Sequence, residues 1–190
     1  MSFDINQFRT NGLTFGGARP SQFQVELSAP PGVTLAANAL RKFTFTCQGA
    51  SLPPAQVATI EAPYFGRKVK LAGDRTYDNW TVQIMNDEDF AVKAMFEKWN
   101  SVLNTTIGNV RDSTLTVEND YKADMRVVQY GKNGQIIRAY IMTGAHPMNV
   151  GDIGLNWSTT NEFETFAVQF AYDWWLPDSV GVAGLDQVVQ

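Results

Sequence analysis

Gly73-Asp74-Arg75-Thr76-Tyr77-Asp78-Asn79-Trp80-Thr81-Val82-Gln83-Ile84-Met85-Asn86-Asp87-Glu88-Asp89 is the stretch on which the fold turns. Its first part reads as a polar turn. Its middle alternates, so that Trp80, Val82 and Ile84 share one side of a strand while Thr81, Gln83 and Met85 share the other. Its end, Asn86 to Asp89, reads as a helix cap with an acidic first turn, favourable beside the partly positive N-terminus of a helix. The spacing of Val92, Met95, Phe96, Trp99, Val102 and Leu103 then predicts an amphipathic helix over about residues 87–103.

Before this stretch, residues 1–20 read as an extended N-terminal arm. Phe3, Ile5, Phe8, Leu13 and Phe15 make it too apolar for a merely solvated tail, so it needs a surface to lie on. Residues 22–28 alternate, with Phe23, Val25 and Leu27 inward, and Ala29-Pro30-Pro31-Gly32 stops them. Residues 33–40 are small and apolar, a loop or a short helical turn. Residues 42–48 alternate again, with Phe43, Phe45 and Cys47 on one face. The two alternating runs are expected to pair antiparallel. Residues 57–61 read as a short edge segment and residues 67–71 as a strand.

After the helix, residues 104–113 are a polar loop. Residues 121–130 and 135–143 flank Gly131-Lys132-Asn133-Gly134, a strong hairpin signal. Residues 145–151 are expected to turn. A last strand over 163–174 places Phe166, Val168, Phe170, Tyr172 and Trp174 on one face, and residues 177–190 form a C-terminal tail. The expectation is a mainly β, single-domain sandwich or barrel over residues 21–176, with about seven strands and one principal flanking helix.

Composition narrows the function. A length of 190 residues suits one domain with a sizeable core, and 12 Phe, 6 Tyr and 5 Trp favour a β-rich core or interface. The net charge of −4 argues against gripping nucleic acid by its phosphates, though not against letting it slide past. One histidine cannot build a His cluster, and one cysteine cannot form an intrachain disulfide. No apolar run is long enough for a membrane span, and the N-terminus lacks a signal pattern, so folding in a cytoplasm is expected.

No catalytic set, metal site or cofactor site emerges. Asp87-Glu88-Asp89 reads as a helix cap rather than a metal site, because hard-metal sites draw ligands from several segments. His146, before Pro147, reads as a packed turn histidine without a nucleophile beside it, and Cys47 as a buried apolar thiol. Asp74, Arg75 and Asp78 form a guanidinium flanked by carboxylates, which closes a local ion pair, reaches a neighbouring subunit or is simply a solvated turn. Trp174-Trp175 closes the core or anchors an interface.

Residues 73–82 together with Met85-Asn86-Asp87-Glu88 resemble the tail tube proteins of contractile-tailed bacteriophages, the T-even-like myoviruses. So do Arg19-Pro20-Ser21-Gln22-Phe23-Gln24-Val25-Glu26, Pro147-Met148-Asn149-Val150-Gly151-Asp152 leading to Trp157 and Asn161-Glu162, and the closing strand at 166–174. The resemblance covers most of residues 18–175. It implies a structural, non-enzymatic subunit assembled into stacked hexameric rings, a hollow tube inside a contractile sheath through which DNA passes. Implied partners are other copies of the chain, the sheath, baseplate and tail-terminator proteins, and a tape measure protein in the lumen, within a virion assembled in the host cytoplasm. Related tubes serve type VI secretion and pyocin-like machines, an alternative with a different payload. A soluble β-barrel holding a small ligand is an alternative of another class.

On this reading the polar outward residues Gln22, Gln24, Thr44, Thr46, Thr81, Gln83, Thr165 and Gln169 are candidate lumen-facing positions. Asp74, Arg75, Asp78, Leu52, Pro53, Tyr64 and Phe65 are candidate subunit or ring contacts. The connection over residues 29–42 and the tail after Leu176 depart from the family pattern.

Overall fold

A computed structural model describes residues 4–13 and 16–178. Among them are nine strands: β1 (Phe23–Leu27), β2 (Cys47–Ala50), β3 (Gln56–Tyr64), β4 (Arg67–Thr76), β5 (Trp80–Met85), β6 (Ala123–Tyr130), β7 (Ile136–Val150), β8 (Thr165–Ala171) and β9 (Trp174–Pro177). A single turn, α1 (Ile5–Gln7), precedes two principal helices, α2 (Ala37–Thr46) and α3 (Ala91–Leu103).

Seven strands form one sheet in the order β1-β6-β7-β8-β5-β2, and β9 adds to β7 beside β8. All pairs are antiparallel. The long strand β7 is the spine: β6 lies along one edge, while β8 and β9 follow each other along the opposite edge, broken at Tyr172 and Asp173. The sheet curls so that its end strands β1 and β2 approach each other. Alternation does what the sequence predicts on β5 and β8: Trp80, Val82, Ile84, Phe166, Val168 and Phe170 are all buried.

Helix α3 covers this apolar face with Val92, Met95, Phe96 and Trp99, the stripe read from the sequence. Phe96 is the junction, edge-on to Phe43 of α2 at 5.5 Å and to Phe170 of β8 at 5.6 Å. The buried Trp99 indole donates from Nε1 to the Tyr121 carbonyl at 2.9 Å, and Trp80 donates to Ser51 at 2.7 Å. Both tryptophans therefore bury an aromatic body without leaving the indole N–H unpaired.

Several expectations are corrected. Residues 42–48 are not a strand paired with β1. The last turns of α2 occupy 42–46, and only Cys47 begins β2, which pairs β5, while β1 pairs β6. Ala39 and Phe43, four apart, face the core, whereas Phe45 is 77% exposed. Helix α3 starts at Ala91 rather than near Asp87, because Phe90 takes a left-handed conformation (φ 53°) just before it. Residues 73–76 are strand rather than turn, and residues 57–61 belong to the nine-residue β3. Residues 145–150 continue β7, with a register shift between Pro147 and Asn149. The closing strand is two strands, β8 and β9. The described arm residues 5–12 are helical turns, not extended, and they are exposed. Phe3 and Phe15 lie outside the described residues, as does the tail beyond 178.

Candidate functional site

No group of three or more metal-binding side chains converges among the described residues, so the candidate sites are surfaces. The first is the outward face of β5 and β8. The register sets Thr81 opposite Gln169, Gln83 opposite Ala167 and Met85 opposite Thr165, while Asn149 of β7 continues the row beside Gln169. Gly49 of β2 lies opposite Gln83 on the other edge. Four of the eight candidate lumen residues, Thr81, Gln83, Thr165 and Gln169, are thus one contiguous strip without a formal charge. Each of these side chains is able to hydrogen-bond water, and none carries a charge that would hold a polyanion.

The other four lie elsewhere. Gln24 is on β1, where its side chain accepts from the Tyr130 hydroxyl at 2.8 Å, and Gln22 precedes that strand half-buried. Their neighbour Arg126 donates to Glu26 at 3.2 Å and to Asp178 at 2.9 Å, so this part of the sheet is charged and cross-linked. Thr44 and Thr46 are on α2, and their hydroxyls donate back to the carbonyls of Leu40 and Lys42. They belong to no sheet face.

The second surface is the β3–β4 hairpin, residues 56–76. It forms its own two-stranded sheet, and β3 and β4 pack essentially only on each other. The register puts Ile60 opposite Leu71, Ala62 opposite Val69 and Tyr64 opposite Arg67 on one face. Thr59, Glu61, Lys68 and Lys70 take the other, with Lys68 donating to Glu61 at 2.6 Å. Ile60 and Leu71 remain more than half exposed, and Phe65 at the tip is 92% exposed. Phe65 (φ 42°) and Gly66 (φ 81°) make the reversal, and Tyr64 stands edge-on to Phe65 at 4.8 Å.

Of the candidate contact residues, Tyr64, Phe65, Asp74 and Arg75 lie on this hairpin, and Asp78 follows it. Asp74, Arg75 and Asp78 take part in no ion pair among the described residues, so the local pair considered from sequence is not formed. Leu52 is exposed, but Pro53 is buried and therefore presents no free surface. Trp174 is exposed and Trp175 half-buried, its indole donating to the Pro54 carbonyl at 2.8 Å, so the pair divides between surface and closure.

The acidic cluster has a job that the sequence did not disclose. Lys42 of α2 pairs with Asp87 and, at 2.7 Å, with Asp89, which holds both carboxyls below the usual carboxylate range and raises Lys42. Asp89 also accepts from the Ala91 amide at 3.1 Å. Cys47 is a free thiol that burial pushes up to about 12, unsuited to nucleophilic work.

His146 sits in β7 rather than in a turn. Its ring is edge-on to Tyr121 at 5.8 Å, and Nδ1 is buried without a partner among the described residues. Burial and the facing Lys122 lower its pKa against weaker pulls from the Gly144 carbonyl, Asp173 and Glu118. The folded state thus resists protonating this ring, while the unfolded chain takes a proton near pH ~6.5. Stability from this residue is full above that pH and falls as pH drops towards the lower folded value. Urea midpoints of the wild-type chain are expected to fall between pH 7.5 and 5.5, and His146→Gln should lose that part of the fall.

The fold is shared with contractile injection machines. A chain of the sheath–tube complex of an extracellular contractile injection system superposes with a TM-score of 0.61 at 14% identity, covering 94% of this chain and 100% of that one. A chain of the anti-feeding prophage baseplate gives 0.58 at 12% identity, covering 87% and 98%. In sequence, the tail tube protein gp19 of Enterobacteria phage T4 is 37% identical over 159 residues, 83% of this chain and 90% of its own length. The tail tube protein of Serratia phage KSP90 is 22% identical over 169 residues, 88% and 93%. Residues 18–177 match the phage tail tube protein family, and the chain belongs to that family.

Proposed function

We propose that this tail tube protein works by assembly alone. Copies join head to tail into six-membered rings, and the rings stack into a hollow conduit for DNA inside a contractile sheath in the virion. The observation that carries this reading is the β3–β4 hairpin. An isolated two-stranded hairpin is marginal in water, and this one leaves its apolar face uncovered. A neighbouring subunit supplies the missing surface. A head-to-tail contact of this kind closes into rings or propagates into filaments.

The uncharged strip of Thr81, Gln83, Thr165 and Gln169 suits the lumen wall. With no cation on it, a passing polyanion releases no counterions and is not held. The interior of the subunit is filled by Phe43, Trp80, Phe96, Trp99, Phe166 and Phe170, which favours a tube subunit over a ligand-holding barrel. The phage relatives favour DNA over a secreted effector as the payload, with a tape measure protein in the lumen before the DNA, and sheath, baseplate and terminator proteins outside and at the ends. No helix among the described residues is long and apolar enough to cross a membrane. Electron microscopy of the concentrated protein, alone or with a nucleating baseplate, should show rings or tubes with six-fold end views. A particle that stays monomeric under all those conditions sinks the reading.

A further inference from the structure

We infer that the β3–β4 hairpin of one copy docks in the groove of the 151–164 loop of a second copy, an assignment that rests on the assembly reading above. Two independent features of the molecule match. The hairpin is convex, apolar and cationic: Arg67, Lys68, Lys70 and Arg75 outnumber Glu61 and Asp74. Of those four cations, Arg67, Lys70 and Arg75 make no ion pair among the described residues.

The loop joining β7 to β8 is its complement. Residues 151–164 carry Asp152, Glu162 and Glu164 with no Lys or Arg among them. None of the three is in an ion pair among the described residues; Glu164 only accepts from the Asn86 side chain at 3.0 Å. The loop is concave, with a groove of about 410 Å³ lined by Leu155, Asn156, Thr159, Glu162, Phe163 and Glu164. Its apolar side chains are uncovered, Leu155 at 78%, Trp157 at 103% and Phe163 at 82% exposure. Exposed tryptophan and phenylalanine rimmed by unpaired carboxylates is an interface composition.

Seating the hairpin tip there covers Tyr64 and Phe65 against Trp157 and Phe163, and brings Arg67 and Lys68 to Glu162 and Glu164. Arg67 and the loop carboxylates are otherwise outside any ion pair among the described residues, and Lys68 reaches them from its pair with Glu61. The opposite charges fix register and reject the loop–loop and hairpin–hairpin alternatives. The two surfaces differ, so each copy offers one of each and the contact repeats along a chain of copies. A second copy is the occupant.

The test uses two single-cysteine chains in a Cys47→Ala background, Phe65→Cys and Trp157→Cys, distinguished by tag size and oxidised under assembly conditions. The expected product is a disulfide between the two variants, with each variant alone staying uncross-linked. Charge reversal gives the second arm. Arg67→Glu with Lys68→Glu, or Glu162→Lys with Glu164→Lys, should raise the concentration needed for assembly about ten-fold, and the four changes together should restore it to within about three-fold. Thermal melting confirms that each variant is folded. Tubes that form without the mixed disulfide, a dominant Phe65–Phe65 cross-link, or no recovery in the four-fold variant would each overturn the docking assignment and leave the tube reading intact. If the unmodified chain forms no tubes and the paired cysteine variants no cross-link in any condition, both fall together.

Discussion

Replacing residues 59–73 with Asn-Gly is expected to abolish ring and tube formation while the subunit still melts cooperatively within a few degrees of the unmodified chain. The hairpin contributes no residue to the core cluster, so its loss removes almost no apolar burial from the monomer. Asn-Gly supplies the tight turn that lets the base of β3 and β4 close. What is lost is the exposed face of Ile60, Val69 and Leu71 together with the cations beside it. Arg75→Glu, which reverses one charge near the base of β4, should weaken assembly less than the deletion and leave melting unchanged. Sedimentation and negative-stain microscopy read assembly; a thermal melt reads the subunit. Tubes of normal length from the deleted chain would remove the hairpin from the contact altogether.

The largest effect on the subunit itself is expected at Trp99. Trp99→Ala removes a fully buried indole that stacks with Phe96 at 6.4 Å and leaves the Tyr121 carbonyl without its donor. Truncations of this kind cost about 3–5 kcal/mol, and for a chain of this size about 1 kcal/mol moves the melting point by roughly 2–4 °C. A drop of roughly 6–20 °C follows. Trp99→Phe keeps most of the packing and loses the hydrogen bond, so its cost should be nearer 1–2 kcal/mol. Equal melting of the two variants would show that the indole N–H contributes nothing beyond the ring.

These two expectations address different levels of the molecule. The aromatic chain from Phe43 through Phe96 and Phe170 to Trp80 holds two helices and the curled sheet together, with ring centroids 5.5–6.2 Å apart. The hairpin adds nothing to that chain. The 151–164 loop touches its own subunit chiefly at its ends, through Ile153 against the core and Glu164 to Asn86, while Leu155, Trp157 and Phe163 stay uncovered. A subunit with a packed interior and unpartnered apolar projections is suited to polymerise without unfolding.

Much of the core was legible in the sequence because side-chain alternation is a local property of a strand. Trp80-Thr81-Val82-Gln83-Ile84 and Phe166-Ala167-Val168-Gln169-Phe170 need no neighbour to tell inward from outward, and both faces came out as read. The stripe on α3 and the hairpin between β6 and β7 are equally local signals, carried by a repeat near 3.6 residues and by Gly131-Lys132-Asn133-Gly134. That half of the candidate lumen residues share one sheet face was legible for the same reason. Thr81, Gln83, Thr165 and Gln169 were brought together by pairing, whereas Gln22, Gln24, Thr44 and Thr46 merely shared their composition.

Only the tertiary structure decided what residues 37–50 would become. Phe43-Thr44-Phe45-Thr46-Cys47 alternates like a strand, yet the contact of Phe43 with Phe96 and the pairing of Lys42 with Asp87 and Asp89 select a helix up to Thr46. Those partners lie more than 40 residues away, beyond the reach of any local pattern. The same holds for the acidic run at 87–89, read as a cap and used as the anchor for Lys42. It holds too for β7, whose passage through Pro147 depends on the shifted register of β8. Local periodicity determined which faces are apolar. Long-range pairing determined which segments are strands, and therefore which polar residues share a face and which apolar ones are left projecting from the subunit.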